Sequence, residues 1–280
     1  MKIKRRISNV IIYIFLSLLA LIWVLPIFWV ILTSFREEAG SFTPYFLPQS
    51  YTFKNYINLI TDKSTFNFTR WFSNTLFVSV ATCIISTFFV LSVSYTMSRL
   101  RFRLRKPLMN IALILGMFPG FMSMIAVYYV LKAFSIEQSL LALVLVYSSG
   151  AGLGFYVAKG FFDTIPRSLD EAAMIDGATR GRIFWKITLP MSKPIIIYTL
   201  LTSFIAPWID YIFASVIMGD NYENYTVALG LFKMLEKEFI HNYYTQFAAG
   251  AVIVSIPIAI LFISTQKFYV GGVTGGSVKG

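Results

Sequence analysis

The sequence predicts an all-α fold: one transmembrane domain over residues 1–280, built as a bundle of six membrane-spanning helices. Three observations carry this. Of 280 residues, 57% are hydrophobic and only 13% charged, whereas soluble domains carry about 25% charge. The apolar residues fall in six runs, at 10–35, 71–97, 108–131, 140–161, 194–218 and 247–268, and about 20 residues suffice for one bilayer crossing. The basic residues, finally, are distributed unevenly between the alternate connections.

The first run follows Lys2, Lys4, Arg5 and Arg6, a flank that also suits a secretory signal. A signal has an apolar region of about 7–15 residues and then a small-residue cleavage site. Here the run is longer, and Thr33-Ser34-Phe35-Arg36 is a poor cleavage site, so it is expected to stay as the first span. With the N-terminus inside, 17 of the 24 Lys and Arg residues fall on inner segments and seven on outer ones. The inner set clusters at the start, in 98–107 and in 159–193. That bias sets orientation, and both termini are expected to be cytoplasmic.

Residues 36–70 form a long outer segment with Pro44 and Pro48, expected to fold as a cap or as a short amphipathic helix near 53–60. The second span opens with Trp71-Phe72, which suits an aromatic anchor at the membrane interface. Arg99, Arg101, Arg103, Arg105 and Lys106 read as a tight inner turn whose cations snorkel from the bilayer edge.

The third span contains Gly116 and Pro119-Gly120, and the fourth contains Gly150, Gly152 and Gly154. Small residues let helices pack closely, and Gly and Pro also release backbone groups that protein or a watery cavity must satisfy. Close packing and a cavity-lining or moving segment both remain open, so Gly150 and Gly152 are candidate pathway positions. The fifth span carries Trp208 and Asp210. A carboxylate in hydrocarbon costs roughly 2.5–3.5 kcal/mol on insertion scales and faces a partner or a pathway. Asp210, with Trp208 beside it, is therefore a pathway candidate, with a structural partner as the alternative.

The longest polar interruption on the inner side is 163–193. Ser168 followed by Glu171 fits a capping box, and Asp170 and Glu171 suit the positive end of a helix dipole. A short helix is expected there, with Leu169, Ala172, Ala173 and Asp176 at helical spacing, a turn at Gly177, and a second helical piece reaching Leu189-Pro190. Phe184, Trp185 and Ile187 can anchor that piece. Its small residues let another protein approach the backbone closely; by spacing alone, a plain surface helix linking two spans fits equally well.

The pattern Glu171-Ala172-Ala173, Asp176-Gly177-Ala178, Phe184, Ile187, Leu189-Pro190 and Pro194 resembles the EAA loop of the membrane subunits of bacterial ABC importers. Six spans, the loop's position between the fourth and fifth, and a Gly-rich tail ending in Val278-Lys279-Gly280 extend the likeness over the chain. It is most similar to carbohydrate importers, in particular to the smaller membrane subunit of maltose/maltodextrin transporters. The resemblance implies a heteromeric complex in the cell membrane: this permease, a second homologous membrane subunit, an ATP-binding cassette ATPase dimer and an extracytoplasmic sugar-binding protein. It also implies an oligosaccharide substrate and a coupling role for Glu171, Ala172, Ala173, Asp176, Gly177, Ala178, Ile187, Leu189 and Pro190. By the same resemblance, residues 219–246 contact the binding protein and the tail reaches the ATPase interface. Trp208-Ile209-Asp210 stands where that family often shows Trp-Asn-Glu-Phe, so Asp210 departs in residue type.

Other function classes are disfavoured on chemistry. The net charge of +11 is explained by topology, so no nucleic-acid partner is expected. Cys83 is the only cysteine and His241 the only histidine, which leaves no metal cluster; Cys83 is expected to pack as a small apolar residue and His241 to lie in a surface or packing position. Gly271 and Gly276 have P-loop spacing, but Ser277 and Val278 stand where Lys and Ser/Thr are required. No cofactor is expected on this chain, and ATP with Mg is assigned to the partner subunits. A self-powered secondary transporter would need coupling-ion residues at the midplane, often with matching broken segments in two halves, and only Asp210 and the Gly-rich fourth span offer anything of that kind. An enzyme would need facing acid and base groups. Glu171 and Asp176 are not so placed, so no catalytic residue is expected.

Overall fold

The computed structural model describes residues 2–118, 120–149 and 154–274. Its described residues form helices and turns, with one isolated antiparallel bridge between Arg36 and Tyr51. The chain divides into two compact units: Met1–Phe68 with Leu231–Ile256, and Thr69–Gly230 with Pro257–Gly280.

In the first unit, α1 (Lys2–Ser34) has a span at Asn9–Ser34 whose most apolar stretch is covered nowhere by the chain itself. Leu21, Ile22 and Trp23 are all exposed. A helix apolar all round is a membrane span or a buried core element. Its end is fixed by α2 (Lys54–Thr61), the short amphipathic helix expected near 53–60. Buried Asn55 donates to the carbonyls of Ser34 and Arg36 at 3.0 and 2.7 Å and accepts from Thr245 at 3.0 Å. Thr245 lies on α14 (Ile240–Thr274). Gly250 allows this helix to lie close, since a Cβ there would stand 2.5 Å from Leu231 Cδ2.

In the second unit, α3 (Phe68–Arg99) is the central element. The turn at 100–104 leads to α4 (Arg105–Gly116) and then α5 (Gly120–Ala133). They are followed by α6 (Leu140–Ser149), α7 (Gly154–Thr164), α8 (Arg167–Ile175) and α9 (Arg180–Ile183). A π-helical turn at Phe184–Thr188 and a single turn, α10 (Leu189–Met191), lead into α11 (Lys193–Ile209). The unit closes with α12 (Ile212–Met218) and the helix α13 (Val227–Lys233), whose last residues belong to the first unit. Val90, Leu91, Tyr95, Ala158, Phe162 and Ile195 form one core cluster, with Phe184, Leu189 and Tyr198 packed against it.

The six continuous spans are corrected in part. Among the described residues, Asn9–Ser34, Phe68–Arg99 and Ile240–Phe268 are each long and apolar enough to cross a membrane. Leu140–Ser149 with Gly154–Thr164 and Arg180–Met191 with Lys193–Ile209 qualify as pairs bent by 42° and 83°. The run 108–131 is divided between α4 and α5, where Gly116 ends one helix and Gly120 begins the next. Pro119 lies outside the described residues, as do Gly150, Gly152 and the tail 275–280. Gly weakens helices and Pro lacks the N–H that continues them, so hydropathy alone overstates continuity here. The run 194–218 is likewise broken at Asp210-Tyr211.

Trp71 is a second correction. It is 2% exposed, and its indole donates to the Tyr222 carbonyl at 3.0 Å. A Cβ at Gly230 would fall 1.9 Å from its ring, so only glycine fits. Trp71 packs inside the unit instead of anchoring at an interface.

Candidate functional site: the loop between α7 and α11

α8 begins at Arg167, two residues earlier than a Ser168 cap allows. Pro166 is the N-cap residue with no side-chain cap bond, so the Ser168–Glu171 capping box does not form. Asp170 alone is acidic in the first turn. Its carboxylate instead meets Arg99, with Nε to Oδ2 at 3.3 Å and side chains 5% and 12% exposed. This is an ion contact, since neither Arg99 Nε nor Asp170 Oδ1 makes an aligned hydrogen bond. Arg99 Nη2 donates to the carbonyls of Phe162 and Ile165 at 2.9 Å each. Ser98 Oγ donates to Asp163 at 2.6 Å, and Tyr95 Oη to the Arg180 carbonyl at 3.1 Å. The last turn of α3 thus holds the base of α8 and the start of α9. Part of the basic turn read as a snorkelling cluster is spent on this seat.

The far end of α8 is shaped by Gly177. Its φ is +79°, the left-handed region where a Cβ costs about 1–2 kcal/mol. The Ala178 amide reaches the Ala173 carbonyl at 2.9 Å and the Gly177 amide the Met174 carbonyl at 3.0 Å. These two bonds form a Schellman C-cap, the physical form of the expected turn at Gly177. The chain then restarts at Thr179, which caps α9 by accepting from the Arg182 amide at 3.3 Å.

The result is a short helix fixed at its base and open along its outer face. Glu171, Ala172, Asp176 and Gly177 are exposed together, while Ala173 and Ala178 are half-buried. Among the described residues Glu171 makes no ion pair within the chain. The same face carries Met174 and Ile175, exposed to 46% and 86%. The spacing argument missed both. An exposed Ile on an otherwise polar loop is the signal that finds them, because such a side chain gains only when a partner covers it. Ile187 and Leu189 do not join this face, and Pro190 is exposed in the single turn α10. Ile187 and Leu189 are half-buried, and Leu189 packs against the core cluster. Phe184 packs on Tyr95 at 4.8 Å between ring centroids, and Trp185 stays exposed.

The second candidate set lies elsewhere. Asp210 follows the last residue of α11, accepts the Tyr147 hydroxyl at 2.8 Å and the Phe213 amide at 3.0 Å, and so satisfies an amide in the first turn of α12. Trp208 is 3% exposed, packed against Phe72 and Phe204. Cys83 is half-buried, its thiol near the Leu200 carbonyl at 3.5 Å, as expected for a packed residue.

Comparison with known proteins follows this geometry. Residues 89–270 match the model of the family described as binding-protein-dependent transport system inner membrane component. That span holds the whole loop and its seat on α3. The galactooligosaccharides transport system permease protein GanQ of Bacillus subtilis is 35% identical over 281 residues, covering 100% of this chain and 99% of that protein. The maltodextrin transport system permease protein MalD of Streptococcus pneumoniae is 32% identical over 286 residues, covering 100% and 98%. In fold, the chain is similar to a subunit in the crystal structure of a bacterial ABC transporter that imports the acidic polysaccharide alginate. The TM-score is 0.79 at 24% identity, covering 94% of this chain and 97% of that one. The chain belongs to the family of binding-protein-dependent transport system inner membrane components.

Proposed function

We propose that this chain is a membrane-spanning permease subunit of an ABC importer that moves an oligosaccharide, in the first instance a maltodextrin, into the cell. It crosses the membrane six times with both termini in the cytoplasm, the bent and broken helices each counting as part of one crossing. The observation that carries the reading is α8: seated on Arg99, exposed at Glu171, Ala172 and Gly177, and tipped by Ile175. Such a rigid projection suits a cleft in an ATPase. ATP binding draws the two ATPase subunits together, and the projections follow as rigid bodies and swing the spans between inward and outward access. A second homologous membrane subunit and an extracytoplasmic binding protein complete the complex. Whole-length relatives named for maltodextrin support the substrate. A galactooligosaccharide is the second reading, favoured by the 35% identity to GanQ.

The test is purification of the tagged chain from native membranes, with identification of co-purifying proteins and an ATPase assay. Recovery of an ATPase and a second permease, with activity raised by binding protein and maltodextrin, is the expected result. Stimulation by galactooligosaccharide alone selects the second substrate. Glu171→Lys is expected to abolish coupled transport; normal transport with that substitution would overturn the docking role.

A further inference from the structure

Two clefts open beside α3 in the second unit, and their chemistry differs. One, of about 510 Å³, is walled by Ile85, Phe89, Val93, Leu145 and Phe155, as a lipid-facing crevice or a helix contact would be. The other, of about 280 Å³, is lined by six hydroxyl-bearing residues: Ser86, Tyr147, Tyr198, Thr199, Thr202 and Ser203. We propose that this second cleft is a contact site for the transported saccharide, and that it selects a neutral one. The proposal rests on the reading of the chain as a sugar importer subunit and assigns sugar contact to this chain.

The hydroxyls lie on α3, α6 and α11, elements of candidate spans. A hydroxyl in hydrocarbon normally returns its proton to the carbonyl one turn back. Thr199 does so to Ile195 at 2.9 Å, and Thr202 to Tyr198 and Thr199 at 3.0 and 3.1 Å. Their protons are thereby used and their oxygens left as acceptors. Ser86 and Ser203 join α3 to α11 at 3.1 Å. Pure helix adhesion needs only that pair and leaves no reason for a cleft with Thr199, Thr202 and Tyr198 on its wall. The Tyr198 hydroxyl has no hydrogen-bond partner among the described residues. An array of acceptors beside two tyrosine rings suits a polyol, which donates from many hydroxyls and lays apolar ring faces on aromatics.

Charge narrows the class further. Among the described residues no charged side chain lines the cleft, and a carboxylate, Asp210, lies behind the Tyr147 hydroxyl. A uronate cargo would meet no cation on this wall and one like charge beyond it. A neutral oligosaccharide meets neither cost.

The test uses the complete transporter in proteoliposomes, with uptake of labelled maltotetraose, galactotetraose and an oligouronate. The combined variant Tyr198→Phe, Thr199→Val, Thr202→Val removes one hydroxyl that has no partner among the described residues and two whose bonds are local to α11, so helix contacts stay. Its uptake of the neutral saccharide is expected to fall about tenfold, the effect of one or two net hydrogen bonds. Thr199→Ser with Thr202→Ser is expected to restore it. Phe89→Leu, in the apolar cleft, serves as the control. As a check independent of assembly yield, Thr202→Cys in a Cys83→Ala background is exposed to a membrane-impermeant thiol reagent. Labelling that the neutral saccharide slows severalfold, and the oligouronate does not, supports the site. Unchanged uptake in the combined variant, a thiol that never reacts, or equal uptake of the uronate would overturn it. If the unaltered complex carries no saccharide, the importer reading itself fails.

Discussion

The two ends of α3 each pin a loop, and they do so by different chemistry. At the Trp71 end the buried bonds made by Asn74 and Thr75 are neutral. Asn74 donates to the carbonyls of Glu223 and Tyr225 at 2.9 and 3.1 Å, and the Val227 amide donates to Thr75 at 2.7 Å. At the Arg99 end the pin is a buried ion pair with Asp170, supported by two guanidinium-to-carbonyl bonds. A neutral clamp loses a bond at a time, and each loss costs about 1–3 kcal/mol when a buried group is stranded. A buried pair fails all at once, because removing one partner strands a charge at about 3–5 kcal/mol. In the role proposed for α8, an all-or-none seat keeps the helix from pivoting. In the proposed topology the two clamps lie on opposite sides of the membrane and α3 is the rod between them.

The largest effect expected from breaking this asymmetry is Arg99→Leu, which strands Asp170. Retention of the ATPase during purification should collapse. The exchange Arg99→Asp with Asp170→Arg should recover part of it, and a double-mutant cycle on complex stability reads the coupling directly. Asn74→Ala comes next. It should lower the thermal stability of the purified chain by about 1–3 kcal/mol and weaken stimulation by the binding protein, while leaving ATPase retention intact. Retention lost in both variants would mean the two clamps are not independent. The smallest effect belongs to Glu223→Gln. The Arg70–Glu223 pair at 3.0 Å is exposed at 46% and 76%, and such pairs contribute about 0–1 kcal/mol. A change in melting temperature within error is expected; a large loss would show that the Trp71-end clamp is not neutral after all.

The loop's local shape was more legible than its anchoring. Glu171-Ala172-Ala173 and Asp176-Gly177 marked the helix and its turn, and the exposed face and Schellman cap follow from them. The start of the helix was misplaced because Ser168 and Glu171 satisfy a local rule that a long-range partner overrides. Arg99 and Asp170 are 71 positions apart, and nothing in the spacing of either points to the other. Asp210 shows the same limit. As a residue type inside an apolar run it invites a pathway role, yet the fold gives its oxygens to Tyr147 and to the first turn of α12. The hydroxyls of α11 had the opposite fate, unremarkable in sequence and gathered into one cleft by packing.

The sequence by itself determined the all-α class, the apolar runs and the position of the polar loop, because hydrophobicity and helical period are properties of contiguous residues. Only the tertiary structure decided where those runs break, which face of α8 stays open, and which polar groups are spent on the scaffold. Those outcomes depend on distant partners: Arg99 for Asp170, Gly230 for Trp71, Tyr147 for Asp210. A buried polar or bulky group takes whatever neighbour the fold supplies, and that neighbour is not written beside it in the chain.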